Sequence, residues 1–66
     1  MKVLANGAPV ELPQGGSMED LLHALGLASA WVVAELNGIA LERAVMANTV
    51  LSEGDRIELV RAVAGG

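Results

Sequence analysis

The sequence predicts an α+β fold, a mixed four- to five-stranded sheet covered on one side by a single helix. Three observations carry this expectation. Two Asn-Gly pairs, Asn6-Gly7 and Asn37-Gly38, each stand between short runs of period-two alternation, the strongest local signal for a tight hairpin. Between the hairpins lies one capped stretch with a helical apolar stripe. A last alternating run, residues 56–61, follows a turn and leads into the final residues of the chain.

In the first run Met1, Val3 and Ala5 share one face and Lys2 and Leu4 the other. Asn6 and Gly7 both tolerate the positive φ of a type I′ turn. The return run, residues 8–12, sets Val10 and Leu12 against Glu11, and Pro9, which lacks a backbone donor, suits the start of a strand or a sheet edge. Pro13-Gln14-Gly15-Gly16 is a loop.

Ser17 through Asp20 forms an S-x-x-D capping box, with Ser17 as N-cap, and Glu19 and Asp20 oppose the positive end of the helix dipole. Met18, Leu21, Leu22 and Leu25 then fall on one stripe, and Gly26 followed by Leu27 supplies the stop. The expected helix is about nine to ten residues long.

Ala28-Ser29-Ala30 links to a strand at residues 31–36, with Val32, Ala34 and Leu36 inward and Val33 and Glu35 outward. Trp31 is expected to close one end of the core at the strand entrance; a partner-binding anchor is the alternative. After the second Asn-Gly turn come a short run at 39–41, a turn of α- or 3-10 helix within 42–48, and Thr49-Val50-Leu51 as a small strand or an apolar plug. Ser52-Glu53-Gly54-Asp55 is turn chemistry. In the last run Ile57 and Leu59 face in while Arg56, Glu58 and Val60 face out.

This order, ββαββ in so few residues, predicts a β-grasp, with the first and last strands side by side at the sheet centre. Their parallel pairing is allowed by the long connection between them. Residues 1–61 are expected to make the domain and residues 62–66 a flexible tail, Ala62-Val63-Ala64-Gly65-Gly66.

Composition narrows the function. Sixty-six residues make one domain, and a chain of this length buries only about 60% of the surface its unfolded form exposes, so a deep enclosed site is not expected. Neither disulfides nor thiolate metal sites are available, because there is no cysteine. The net charge of −4 and four dispersed basic residues (Lys2, Arg43, Arg56, Arg61) argue against nucleic acid and for a partner with a basic docking face. No signal peptide or membrane span is expected, which makes the cytoplasm the default compartment.

No nucleophile and base form a credible constellation, and the eight carboxylates fall on turns, the helix start and alternating strand faces, where solvated acids belong. His23 lies off the helix stripe and is given no chemistry; Met18 and Met46 are core gap-fillers. The chain is therefore not expected to be an enzyme, and no bound cofactor or metal is expected. The Gly-Gly pair has no side chain to obstruct a narrow slot, which makes the Gly66 carboxylate the candidate reactive group. From Arg61 an extended tail reaches roughly 15–20 Å. The outward sheet face, with Leu4, Val33, Glu35, Glu58 and Val60, is the candidate docking surface.

The sequence resembles the ThiS family, the sulfur carriers of thiamine biosynthesis within the ubiquitin-like β-grasp superfamily. The resemblance runs through Met1-Lys2-Val3, Asn6-Gly7, the capped helix with Leu21-Leu22-His23-Ala24-Leu25, Leu36-Asn37-Gly38, Thr49-Val50-Leu51, Gly54-Asp55 and the stretch from Ile57 to Gly65-Gly66. This chain departs where the family often has Pro-Arg after the fourth strand, having Glu42-Arg43, and where it often has Trp, having Met46.

The resemblance implies a carrier, used as a cosubstrate by other enzymes and monomeric on its own. An E1-like adenylyltransferase, using ATP and Mg, would adenylate the Gly66 carboxylate. A sulfur-donor enzyme would convert the adenylate to a thiocarboxylate, and thiazole synthase would take the sulfur. The same tail is compatible with a sulfur carrier for another pathway, molybdopterin or other, or with a passive ubiquitin-like interaction module.

Overall fold

Five short strands form one mixed sheet in the order β2-β1-β5-β3-β4, with the helix α1 packed across one face, in a computed structural model that describes residues 1–61. The strands are β1 (Lys2–Ala5), β2 (Ala8–Glu11), β3 (Val32–Leu36), β4 (Ile39–Ala40) and β5 (Arg56–Arg61); the helices are α1 (Met18–Ala24) and the single turn α2 (Arg43–Met46). The expected tail, residues 62–66, lies outside the described residues.

Both hairpins form where Asn-Gly places them. Asn6 and Asn37 take φ of 50° and 51°, and Gly7 and Gly38 follow at 83° and 86°, so each pair turns the chain with the twist that antiparallel neighbours need. Pro9 sits on β2, an edge strand, where its missing donor costs no ladder bond. The first and last strands meet at the centre in parallel, pairing Leu4 with Arg56 and Ala5 with Ile57. The other side of β5 pairs antiparallel with β3 along five residue pairs.

The helix begins as its capping box requires. The Asp20 N–H donates to Ser17 Oγ, and Asp20 Oδ2 accepts from the Ser17 N–H at 2.8 Å. It ends in a Schellman motif: the Leu27 N–H donates to Leu22 O and the Gly26 N–H to His23 O, with Gly26 at φ 72°. This closure stops α1 at Ala24, shorter than expected, and makes Leu25 the C-cap. Leu25 is consequently 40% exposed and leaves the stripe that Met18, Leu21 and Leu22 bury.

Those three side chains pack on the inward residues of the sheet, Val3, Ala5, Val32, Ala34 and Ile57, with Leu12, Met46 and Leu51 closing the ends. Met18 and Met46 are core residues, as expected. Of the two roles expected for the 49–51 segment, Leu51 plays the apolar plug, while Val50 makes only an isolated bridge with Ser17 and no strand forms there.

Trp31 does not close the core. It lies in a 3-10 turn, Ser29–Trp31, ahead of β3 and is 52% exposed. By alternation position 31 falls with the outward Val33 and Glu35, opposite the inward series that starts at Val32. Arg43 holds this turn in place, its Nη1 donating to the carbonyls of Ser29 and Ala30 at 3.1 Å each. Thus Arg43 and Met46, at the stretch where the chain departs from the family pattern, serve the fold: one ties a turn and the other fills the core.

Candidate functional site

The strand that leads to Gly65-Gly66 is held at the centre of the sheet. Hydrogen bonding shows how. The Leu41 N–H donates to Ala34 O, so the polar groups of Ala34 point to β4 and those of Val33 and Glu35 point to β5. On β5, Val60 and Glu58 therefore face β3, while Ile57 and Leu59 turn their backbone groups toward β1. Asn6 meets both: its N–H donates to Ile57 O at 2.8 Å, and its carboxamide accepts from the Leu59 N–H at 2.8 Å and donates to Leu59 O at 3.2 Å.

The start of β5 is gripped in the same way. Asn37 donates its N–H to Arg56 O, accepts from the Arg56 N–H at 2.9 Å, and donates through Nδ2 to Asp55 Oδ1 at 3.0 Å. Asp55 in turn accepts from the Ser52 N–H, and the Gly54 N–H donates to Lys2 O, so the turn before β5 is tied to β1. These asparagine bonds were not read from the sequence, where Asn6 and Asn37 are turn residues only. Their side-chain bonds span 53 positions from Asn6 and 18 and 19 positions from Asn37, and need the folded register to be seen.

The predicted docking residues do share one face. Strand alternation and register put Val33 opposite Val60, Glu35 opposite Glu58, and Leu4 opposite Arg56, all away from the helix. Val33 is 47% and Val60 63% exposed, whereas Leu4 is half-buried. Arg56 belongs to this face too and was not among the predicted set. The face thus carries an apolar pair next to the end of β5 and an acidic pair beside it. Gly65, Gly66 and the tail residues Ala62, Val63 and Ala64 lie outside the described residues.

Among the described residues there is no pocket and no group of His, Asp and Glu arranged to hold a metal. His23 is exposed at the last turn of α1. No helix is long and apolar enough to cross a membrane.

One helix laid across a five-stranded mixed sheet whose first and last strands run parallel at the centre defines a β-grasp domain. The residues narrow the class further: the sequence profile of the ThiS family matches residues 3–66, and the chain belongs to the ThiS family.

A crystal structure of the thiamine biosynthesis protein (ThiS) from Geobacter metallireducens superposes with a TM-score of 0.79 at 33% identity, covering 100% of both chains. The solution structure of a thiamine biosynthesis protein from the same organism gives 0.72 at 33% identity, over 100% of this chain and 88% of that one. By sequence the chain is 38% identical over 66 residues to a thiazole synthase of Magnetococcus marinus, of whose length it spans only 20%. It is 32% identical to the ycf40 protein of Pyropia yezoensis, of which it spans 93%.

Proposed function

We propose that this chain is a sulfur carrier whose working group is the carboxylate of Gly66. The observation that carries the reading is the family match, which extends through Gly65-Gly66 to residue 66 on a fold whose central strand leads to that end. In this reading an E1-like adenylyltransferase uses ATP and Mg to join the Gly66 carboxylate to AMP, expelling pyrophosphate. Hydrosulfide supplied by a donor enzyme then displaces AMP, its sulfur bonding to the Gly66 carbonyl carbon as the C–O bond to AMP breaks, and leaves a thiocarboxylate. Carboxylate oxygen is a poor leaving group and AMP a good one, which is why activation precedes sulfur transfer.

Thiazole synthase is the proposed acceptor. Support comes from the Magnetococcus marinus relative, a thiazole synthase that contains a segment similar to this whole chain. Joining a carrier to its acceptor raises their effective concentration. The carrier supplies no catalytic group of its own; the folded body docks through the outer face, with Val33 and Val60 at its centre, while the tail enters the partner's site. A cytoplasmic setting, where ATP is available, belongs to the same proposal.

The test is ATP–pyrophosphate exchange with an activating enzyme of this class, using the intact chain, a chain lacking Gly66, and a chain extended beyond it. Exchange with the intact chain alone supports the carrier. Equal behaviour of all three would identify a passive interaction module instead.

A further inference from the structure

We infer that Asn6 is a positioning residue for the tail: its side chain continues the β1 ladder onto Leu59 and so fixes the last residues of β5, from which residues 62–66 depart. What the tail does rests on the carrier reading above. The clamp itself rests on geometry.

The β1 strand pairs with β5 only at Arg56 and Ile57 before Asn6-Gly7 turns the chain away into β2. From Glu58 onward β5 keeps β3 on one flank and, among the described residues, has no strand on the other. Into that gap the Asn6 carboxamide places an acceptor for the Leu59 N–H at 2.8 Å and a donor for Leu59 O at 3.2 Å. A carboxamide offers the same donor and acceptor as a peptide unit, so it stands where the next rung of β1 would be.

The left-handed φ of 50° is what brings the side chain back over β5, and asparagine is among the few residues that accept it. Aspartate would keep the acceptor but lose the donor and set a charge against Leu59 O. Glycine would keep the turn and lose both bonds.

Asn37 supplies the control. It has the same turn, the same left-handed φ and the same two-bond grip on the β5 region, but at Asp55 and Arg56, the end remote from the tail. A merely stabilising role would make the two asparagines equivalent. A positioning role makes them different.

The experiment compares Asn6→Gly, Asn37→Gly and Asn6→Asp with the unaltered chain, by amide hydrogen exchange and 15N relaxation over Leu59, Val60 and Arg61, and by ATP–pyrophosphate exchange kinetics. In Asn6→Gly the Leu59 amide exchanges about tenfold faster or more, and order falls at Val60 and Arg61. Because an unfixed root must be ordered on binding, KM for the carrier rises roughly threefold or more, with kcat within about twofold. Asn37→Gly leaves these quantities unchanged, and Asn6→Asp restores part of the Leu59 protection.

Equal effects of the two glycine variants on Leu59–Arg61, no effect of either, or lost protection with unchanged KM would overturn the inference. If the unaltered chain supports no pyrophosphate exchange, the carrier reading fails, and the clamp is then decided by the exchange and relaxation data alone.

Discussion

Glu35 and Glu58 stand directly opposite one another on β3 and β5, on the sheet face away from the helix. Like charges in register repel, at a cost of roughly 0.2–1 kcal/mol for an exposed cross-strand pair. Both side chains are exposed. Glu58→Gln is therefore expected to raise stability by a few tenths of a kcal/mol, and by less at high salt, where the repulsion is already screened. Urea unfolding at low and high ionic strength checks this, and a destabilised variant would show that the pair is held by favourable contacts.

On the proposed docking face this acidic pair suits a partner with a basic surface. The apolar neighbours Val33 and Val60 give the more direct test. Val60→Asp places a charge at the centre of the proposed interface, yet Val60 is 63% exposed, so the fold survives. Its KM with the activating enzyme is expected to rise about tenfold or more. Unchanged kinetics in a folded variant would remove this face from the docking account.

At Trp31 the structure replaces the core-closing role expected from the sequence with an exposed ring on a 3-10 turn. A buried tryptophan cut to alanine costs about 3–5 kcal/mol. Trp31→Ala should instead cost less than about 1 kcal/mol. Chemical denaturation distinguishes the two, and a loss in the higher range would return Trp31 to the core.

Ser17 bears on the helix that the core depends on. Replacing it by alanine removes the acceptor for the Asp20 N–H and half of the capping box, at a cost of about 1 kcal/mol. For a domain of this size that lowers Tm by roughly 4–8 °C. A Tm change under about 1 °C would mean that the box adds nothing to stability.

The features legible in the sequence are those whose cause is local. Asn-Gly needs only its own backbone preferences to turn, Ser17 and Asp20 cap across three residues, and Gly26 ends the helix through bonds within one turn. The sheet order followed from these because a central parallel pair is what two hairpins and one covering helix leave room for.

What stayed hidden depends on register or on distant partners. The opposition of Glu35 to Glu58 requires knowing how β3 slides on β5. The grip of Asn6 on Leu59 joins residues far apart in the chain, and Arg43 reaches across to Ser29 and Ala30. Trp31 falls on the outward side of the alternation with Val33 and Glu35, and the 3-10 turn that carries it ahead of β3 is tied by the distant Arg43. At the candidate site, the shared face of Leu4, Val33, Glu35, Glu58 and Val60 was legible from alternation alone, whereas the reactive end rests on Gly65-Gly66 as a motif and on family membership.

The central claim is that the Gly66 carboxylate carries sulfur, and intact-mass spectrometry tests it most directly. The chain is incubated with MgATP, an E1-like adenylyltransferase and a sulfur-donor enzyme, then weighed. The account predicts a species heavier by one sulfur less one oxygen, about 16 Da, absent when ATP is omitted and absent from a chain lacking Gly66. An unchanged mass under conditions where the same enzymes load another carrier would contradict it.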